Sequence, residues 1–505
     1  MTRPGWLPLL AALLSALALA GCSSTSTLAP ASATTPYRGA AGEAATDPGT
    51  ADFGVAPEAD MPIVIARPEI DSKHVYSLPE LIDIAQMANP VTRAAWQRAR
   101  EAASAVGLAK GAFLPILSAD VLAGYAVTSA AAAGIRVPPL VNVPAGTITT
   151  SGRQIAPSLA VEWLLFDFGG REAALKSAEQ YSFAANVSFN QAHQQLIFDV
   201  SAAYFQYSAA RAQTRIDREA LDNVKLVQTA AEARLGQGIA TTMEVAQAKQ
   251  QVAQAQFDLT QAKGGERATY TSLLAAMGIS PTVTIKVKDI ASRSLPRAVP
   301  ANLDTLISTS LQRRPDVQAA FARVKAGKQG ITAAEAEFLP KIAMTGTVNR
   351  TWGDYTIDDS RFGSTPFNSD QPNAAIGIGI RFPIFDGGMR KSRLEAAEAS
   401  AAASEQEFAK LQSEAARQIV IAYDTLRTGL SGHAAAVELV KAARTNHEAA
   451  LDYYKNGLGT LSDVSVAQTG LLKALFAEAQ ARSNVFGAAA TLAFATGQLT
   501  NANVP

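Results

Sequence analysis

The sequence predicts a mainly α-helical chain with a smaller β component, built from two copies of one structural unit. Three observations predict this fold class. Motifs of the first half recur in the second at a nearly constant displacement, two tracts of more than 100 residues contain no proline, and strand-like alternation is confined to four short segments. Because an average globular helix has only about 10–14 residues, such tracts indicate helices much longer than those of an ordinary domain.

The composition excludes several classes of protein. The 505 residues include 44 Lys and Arg and 44 Asp and Glu, whereas a general nucleic-acid-binding protein would carry a basic excess. A single cysteine excludes a disulfide framework and a cysteine-rich metal site. No serine lies in a G-x-S-x-G motif, and no zinc-binding spacing joins the four histidines, which are His74, His193, His433 and His447. The sequence therefore predicts neither an enzyme nor a metal or cofactor site.

The segment 1–21 is predicted to be a signal peptide. An apolar run of about 15 residues follows Arg3, which is shorter than the ~20 residues of a membrane-spanning helix. The run ends in Leu-Ala-Gly before Cys22, which resembles a bacterial lipoprotein box and implies lipidation of Cys22. The alternative is an ordinary signal peptide with an incidental cysteine. Ser23, where Asp would retain a lipoprotein at the inner membrane, implies the outer membrane, and residues 22–75 predict a Pro- and Ser-rich tether.

Self-comparison predicts an internal duplication of residues 76–290 and 291–505. The Phe-Leu-Pro segment that ends at Pro115 recurs in the second half, where it ends at Pro340. The Phe-Asp segment with Gly169 and Gly170 likewise recurs with Gly387 and Gly388. The prolines are expected to end helices, and the paired glycines are expected to turn strand into helix. These six residues are the predicted strand–helix junctions.

Each unit contains a helix of about 35 residues and then a much longer helical tract. In the first tract, apolar residues step by three and four residues, which is typical of a coiled-coil seam: Val245, Ala248, Val252, Ala255, Leu259 and Ala262. Glycines interrupt the tracts at Gly236 and Gly238 and again at Gly457 and Gly459, so each tract is predicted to fold into an antiparallel hairpin about 100 Å long. Separate long-helix bundles would show the same seam.

Four segments show the alternation of a β-strand, at residues 116–128, 155–166, 341–351 and 374–385. In the last of these, Ile378 is predicted to face lipid and Gly379 a lumen. A half-buried soluble sheet has the same period, but the acylated N-terminus favours a membrane barrel. Since bacterial barrels have at least 8 strands, a chain with four must share its strands with other copies. Dimers would give 8 strands and trimers 12, and the spacing does not choose between them.

Together, the lipoprotein box, the repeated Phe-Leu-Pro and Phe-Asp-Gly-Gly motifs, the paired strands and a Tyr-x-x-Gly turn resemble the TolC-like outer-membrane efflux proteins. The resemblance covers about residues 76–500 and is greatest to the lipoprotein factors of resistance-nodulation-division pumps. It implies a homotrimer with a 12-stranded transmembrane β-barrel and a long periplasmic helical barrel. It also implies a passive exit duct for small molecules that docks a periplasmic membrane-fusion adaptor and an inner-membrane pump.

The same resemblance implies a periplasmic gate just after the Tyr-x-x-Gly turn. Tyr454 and Asp463 match the family's gate positions, whereas the second gate aspartate is replaced by Val466 and the expected arginine by Gly459. Asp463 also stands at the start of a helix, where the helix dipole alone favours a carboxylate. The hairpin turns are implied to form the tips that dock the adaptor, with the residues Gly236, Gly238, Thr241, Gly457, Gly459 and Thr460.

Two other functions are compatible with the sequence. The same fold serves as a polypeptide channel in type I secretion, and a periplasmic coiled-coil scaffold lipoprotein would share the helical tracts. Conductance in planar bilayers separates a channel from a scaffold.

Overall fold

The computed structural model describes residues 60–501, except residues 63, 292, 297–298 and 300–301. Cys22, the signal peptide and most of the tether therefore lie outside the described residues. The described residues from Ala66 onward form one compact unit. The predicted mainly helical fold with a smaller sheet is confirmed.

The helices and strands of the two halves follow the same order. Those of the first half are β1 (Val75–Tyr76), α1 (Leu78–Ala88), α2 (Pro90–Gly111), β2 (Ile116–Ala132), β3 (Ile135–Val137), β4 (Val141–Val143), β5 (Gly146–Phe166), α3 (Gly170–Gly236), α4 (Thr242–Met277) and β6 (Lys286–Val287). The second half repeats the larger elements as α5 (Leu303–Arg313), α6 (Pro315–Ala336), β7 (Lys341–Asp359), β8 (Gly363–Arg381), α7 (Met389–Lys455) and α8 (Leu461–Ala495).

The helices begin where the sequence supplies caps. Ser77 and Glu80 form a capping box at the start of α1, and the Asn89 side chain accepts a hydrogen bond from the Val91 amide at the start of α2. Proline occupies the first position of both α2 and α6, where its missing N–H costs nothing. Helices α3 and α7 have 67 residues each, which corresponds to about 100 Å.

The largest core lies where α1, α3, α4 and α8 meet. Leu81, Leu274 and Phe486 are fully buried there, and the Phe486 ring stacks on Phe205 with their centroids 5.3 Å apart. The predicted coiled-coil seam between α3 and α4 is only partly buried. Its members Val245, Ala248, Leu259 and Ala262 are buried, while Val252 and Ala255 are half-buried.

In each repeat, a side chain between the first two helices donates a hydrogen bond to the end of the last helix, and we call these two contacts the ties. In the first repeat, the Asn89 side-chain amide donates to the Ala276 carbonyl at 3.2 Å. In the second, Arg314 takes the place of Asn89 and donates to the Ala495 carbonyl at 3.0 Å. Arg314 is buried and also binds the Asp316 carboxylate with two nitrogens.

The four long strands form one antiparallel sheet with the order β2-β5-β7-β8. Strands β2 and β8 are its edges. Each of the four strands has 17 to 21 residues, so β5 begins earlier than predicted, at Gly146, and β8 begins at Gly363 and ends at Arg381. Alternation is lost in the added segments because polar residues occupy both faces there, as in the sequence of Thr147, Thr149 and Thr150.

The register places apolar side chains on one face across all four strands. One row contains Leu117, Val161, Gly346 and Ile376, and the next contains Ala119, Leu159, Val348 and Ala374. The opposite face carries mainly polar and small residues, such as the row of Asp120, Ser158, Asn349 and Asn373, together with a few larger ones such as Leu122 and Tyr355. We call these the apolar face and the polar face. Ile378 lies on the apolar face and Gly379 on the polar face.

A bulge brings Phe166 onto the apolar face at the end of the sheet next to the helices. The register between β5 and β7 shifts by one residue at Leu165, so Phe166 pairs with Ile342 instead. Without this extra residue, Phe166 would fall on the polar face, because a shift of one residue exchanges the faces. At the other end, the apolar face changes at Arg350, whose guanidinium binds the Asp370 carboxylate through two nitrogens and lies 5.2 Å from the Trp352 ring centroid.

The two strand pairs are joined by very different turns. Residues 133–145 connect β2 to β5 and contain the small antiparallel hairpin of β3 and β4, with Leu140 exposed at its tip. Residues 360–362 alone connect β7 to β8. The short turn is held by Ser360, which exchanges hydrogen bonds with Thr147, and by Arg361, which binds Asp359.

Within the described part of the chain, no helix is both long enough and apolar enough to cross a membrane.

Candidate functional site at the hairpin turns

The two hairpin turns have the same backbone. In the first, the Ile239 amide donates to the Arg234 carbonyl at 3.0 Å, and in the second the Leu458 amide donates to the Tyr453 carbonyl at 2.9 Å. Each turn has one glycine in the left-handed region, Gly238 with φ of 76° and Gly457 with φ of 77°. These two positions require glycine, because a side chain there meets its own backbone.

The other predicted turn residues have different roles. Gly236 and Gly459 are absent from the left-handed region, and a Cβ added to Gly459 would lie 3.2 Å from the Tyr453 Cβ. Thr241 and Thr460 cap the two return helices, α4 and α8. Each accepts a hydrogen bond from the amide three residues later, at 3.2 Å in both turns.

Asp463 closes the capping box of α8. Its Oδ2 accepts hydrogen bonds from the Thr460 hydroxyl at 2.7 Å and the Thr460 amide at 2.9 Å. These two hydrogen bonds hold the pKa of Asp463 below its usual value, so the carboxylate is ionised at neutral pH. Glu244 has the same position in the box of α4, with a longer contact to the Thr241 amide of 3.4 Å. The helix-start role that the sequence left open for Asp463 is therefore present.

Tyr454 is buried between the two hairpins, with only 3% of its surface exposed. It packs in a cluster to which both hairpins contribute, with Ala231, Val245, Ala248, Leu461 and Val464. Burial raises the pKa of its phenol, and the nearby Arg234 opposes that shift. In the described chain, the Tyr454 hydroxyl has no hydrogen-bond partner, so the ring acts through packing.

Arg234 joins the hairpins across this cluster, and the sequence analysis did not identify it. Its guanidinium lies 4.7 Å from the Tyr454 ring centroid, and Nη1 donates to the Tyr454 carbonyl at 2.9 Å. An arginine of the first turn therefore lies beside the second turn, where the position expected to hold an arginine is occupied by Gly459. The available signal was a basic residue in the last turn of a helix, where it can bind free carbonyls of a helix end.

Asp463 and Val466 share the opposite, exposed face of α8. They are three residues apart and therefore neighbours on the helix surface. Val466 is 70% exposed, whereas Leu461, Val464 and Ala467 on the other face are buried. Of the three gate candidates, Tyr454 is therefore buried between the hairpins, whereas Asp463 and Val466 are exposed on α8.

The predicted strand–helix junctions form a second pair of equivalent sites. Gly169, Gly387 and Gly388 have positive φ, as does Phe168 with φ of 55°, which occupies the position equivalent to Gly387. Gly170 lies outside that region, but a Cβ there would lie 3.1 Å from Asp167 Oδ2.

At both junctions an aspartate caps the following helix and pairs with an arginine. Asp167 accepts from the Arg171 amide at 2.7 Å, and Asp386 accepts from the Arg390 amide at 3.1 Å. The arginines lie over rings of the Phe-Leu-Pro segments that end at Pro115 and Pro340: Arg171 over Phe113 and Arg390 over Phe338. Each junction is thereby fixed to the end of the preceding helix.

Comparisons with known proteins agree on one family. A family model described as outer membrane efflux protein matches residues 81–279 and 306–498. The chain is 25% identical over 409 residues to the protein CyaE of Bordetella pertussis, with 81% of each chain covered. It is 24% identical over 359 residues to the outer membrane efflux protein BepC of Brucella suis, covering 71% of this chain and 75% of BepC.

The fold is also that of a solved structure. The crystal structure of the outer membrane protein VceC from Vibrio cholerae matches with a TM-score of 0.64 and 22% identity, covering 83% of this chain and 96% of VceC.

Proposed function

This chain belongs to the outer membrane efflux protein family, and from that premise we propose that it is the exit duct of a tripartite efflux system. The family consists of outer-membrane channel proteins, and the chain is an outer-membrane protein. The duct passively conducts small molecules from a periplasmic adaptor and an inner-membrane pump to the exterior.

The two-faced sheet is the observation that carries this proposal. Its apolar face runs from the row of Ile342 and Ile380 to the row of Ile155 and Trp352, where the ion pair of Arg350 and Asp370 marks its end. From Ile342 to Trp352 is about 34 Å along a strand, or about 25 Å in height at the usual tilt, which is the height of the apolar band of a membrane barrel. A polar face behind it provides a water-filled lumen.

The sheet's open edges support an oligomer. Backbone groups on the outer edges of β2 and β8 have no partner strand in the described chain, and in lipid each unsatisfied group costs several kcal/mol. Pairing β8 of one copy with β2 of the next closes the sheet without free edges. A homotrimer gives the 12 strands that the family resemblance implies.

The hairpin turns are the proposed periplasmic end. They are the points at which the long helices reverse, so their tips are the surfaces that an adaptor would dock, through the turns at Gly238 and Gly457 and the caps Thr241 and Thr460. Asp463 and Val466 lie on an exposed helix face that can line an aperture. Tyr454 and Arg234 hold the two tips together behind it. In this arrangement, the gate is closed by packing between hairpins more than by an ionic ring.

Cys22 is the proposed lipid anchor, with acyl chains in the outer membrane. Two or more chains give stable attachment, where a single chain gives only marginal binding. Cys22→Ser is expected to abolish labelling by radioactive fatty acid and to leave an unprocessed precursor. Labelled Cys22→Ser protein would contradict the anchor while leaving the duct intact.

The duct itself is tested with purified full-length protein. We expect trimers in detergent that dissociate only on heating, and discrete conductance steps after reconstitution into planar bilayers. In cells, deletion of the gene should raise sensitivity to amphipathic toxic compounds, and re-expression should restore resistance. A monomeric protein that forms no conducting pores would contradict the proposal and favour the scaffold.

The gate is tested at Arg234. Arg234→Ala removes both contacts to Tyr454 without emptying the buried cluster, so the tips should separate more readily and single-channel conductance should rise. Tyr454→Phe is the matched control, because the hydroxyl has no partner in the described chain and conductance should stay at the wild-type value. Cells with Arg234→Ala should also become more sensitive to vancomycin. Wild-type conductance in Arg234→Ala would place the constriction elsewhere.

A further inference from the structure

The polar face of the sheet has an uneven distribution of charge along its length. On the described strands, its carboxylates between the two ends are Asp120 on β2 and Glu162 on β5. Asp120 pairs with Ser158, so the two carboxylates lie four residues apart along the sheet, or about 13 Å. No lysine or arginine of these strands lies on the same face between residues 343 and 357 of β7 or on the paired rows of its neighbours.

The remaining charges of this face are at its ends. Lys341 and Arg381 are register partners in the last row, next to the helical part, about 13 Å from the row of Glu162. At the other end, Asp359 is neutralised by the guanidinium of Arg361, with a contact of 2.8 Å. The arginine Arg350 lies on the apolar face and binds Asp370, so it does not offset the carboxylates.

Two aromatic rings lie on the same face, further from the helices than Asp120 and Glu162. Tyr355 and Phe367 are register partners whose rings stack with centroids 5.5 Å apart. The Tyr355 hydroxyl donates to Gln154 Oε1 at 2.8 Å. A Cβ at Gly152 or Gly353 would overlap the Tyr355 ring, so these two glycines let the ring lie flat along the sheet.

We propose that the barrel section of the duct is itself selective for cations, and that Asp120 and Glu162 set this selectivity for organic cations with an apolar or aromatic body. The inference rests on the proposed function, because only a closed sheet turns the polar face into a lumen. In a trimer, each carboxylate forms a ring of three.

Physical chemistry supports this assignment in two ways. Rings of Asp and Glu side chains make pores cation-selective, and their field extends about 10 Å at 0.1 M salt, which spans much of such a lumen. The flat faces of Tyr355 and Phe367 then offer cation–π contacts that an anion of the same shape does not receive. Within one chain, Lys341 and Arg381 lie about 13 Å along the strands from the row of Glu162, which is more than one screening length.

Reversal potentials in a KCl gradient test the carboxylates. Asp120→Asn with Glu162→Gln should lower the permeability ratio of K⁺ to Cl⁻ by about two- to threefold, the scale of unit charges acting through water at the wall of a lumen. Lys341→Gln with Arg381→Gln is the matched control on the same face and should raise that ratio. The single variants provide the same test if the double variant does not assemble.

A pair of aromatic ions tests the ligand class. Benzyltrimethylammonium should permeate the wild type more readily than benzenesulfonate, and Tyr355→Leu should reduce that preference while leaving the ratio for K⁺ and Cl⁻ unchanged. A conducting wild type whose ion preference is unaffected by neutralising Asp120 and Glu162 would overturn this inference alone. A wild type that forms no pores would instead overturn the proposed function.

Discussion

The two repeats of this chain have nearly the same backbone but assign different residues to equivalent positions. Their hairpin turns share the same pattern of backbone hydrogen bonds. Yet Tyr454 of the second turn corresponds to Leu235 of the first, and Arg234 corresponds to Tyr453. The contact between Arg234 and Tyr454 can therefore form only between unlike repeats. The duplicated backbone places the two turns side by side, and the divergence of single side chains provides the contact between Arg234 and Tyr454 that connects them.

The ties that close the repeats differ most in chemistry, and their removal is expected to have the largest effect. Arg314→Met leaves Asp316 half-enclosed without its partner, which should lower the free energy of unfolding by about 3–5 kcal/mol. The equivalent Asn89→Ala removes a neutral hydrogen bond and a helix cap, which should cost about 1–2 kcal/mol. Urea denaturation of the detergent-solubilised protein measures both. Equal losses would show that the two ties are energetically equivalent.

The apolar face should behave alike in both repeats. Leu159 and Ile378 occupy equivalent positions, and an arginine facing the middle of the membrane costs about 2–4 kcal/mol. Leu159→Arg and Ile378→Arg should each strongly reduce the yield of heat-stable trimer. Ala160→Ser and Gly379→Ser, one residue further along the same strands, are the controls and should assemble normally. A face that tolerates arginine in one repeat only would mean that this repeat does not contact lipid.

Substitutions at the two strand–helix junctions should change the stability of the protein differently. Gly387 has φ of 67° and open space around its Cβ position, so Gly387→Ala introduces only backbone strain, about 1–2 kcal/mol. The equivalent Phe168 already bears this strain, and Phe168→Gly relieves it at the expense of the contact between Phe168 and Phe166. We expect Gly387→Ala to lower the denaturation midpoint and Phe168→Gly to leave it unchanged or raise it. A drop in both would indicate that the Phe168 ring contact outweighs the strain.

The smallest expected effect concerns the caps of α1 and α5. Hydrogen bonds from the Ser77 side chain and amide lower the pKa of Glu80 to about 2, whereas α5 is capped by the neutral Asn302. Because the pKa is lowered on folding, ionised Glu80 stabilises the fold above its unfolded pKa, and this contribution is lost as the pH falls from about 4 to about 2. Amide hydrogen exchange should therefore speed up at the start of α1, and not of α5, over this range. Glu80→Gln should remove the difference.

The sequence predicted the features that depend on local patterns. The proline-free tracts, the glycine turns and the four alternating segments each reflect the backbone of a single element, and the structure contains the corresponding hairpins and strands. The predicted strands were too short at the ends far from the helices, because residues such as Thr147 and Thr149 lie where neither face is apolar. The fourth strand was predicted to continue to residue 385 but ends at Arg381. The bulge at Leu165 was also missed, since alternation continues through that residue in the sequence.

The candidate site depended on contacts between distant parts of the chain. Tyr454 was predicted as a gate residue by position, but its burial results from Arg234 and Val245, which belong to the other hairpin and the other repeat. Asp463 could be assigned a capping role from sequence because its partner, Thr460, is only three residues earlier. The assignment of charged residues to the two faces of the sheet likewise needed the strand register, which places Arg350 and Glu162 on opposite faces.

The unequal turns between the strands have a practical consequence for work on intact cells. In the proposed duct both turns open to the exterior, so each trimer would display three copies of the segment 133–145. An epitope tag inserted beside the exposed Leu140 would extend a surface loop, whereas in the three-residue turn between β7 and β8, Ser360 and Arg361 are held by Thr147 and Asp359. The longer turn is thus the natural handle for surface labelling, immunoprecipitation and single-molecule attachment of this protein.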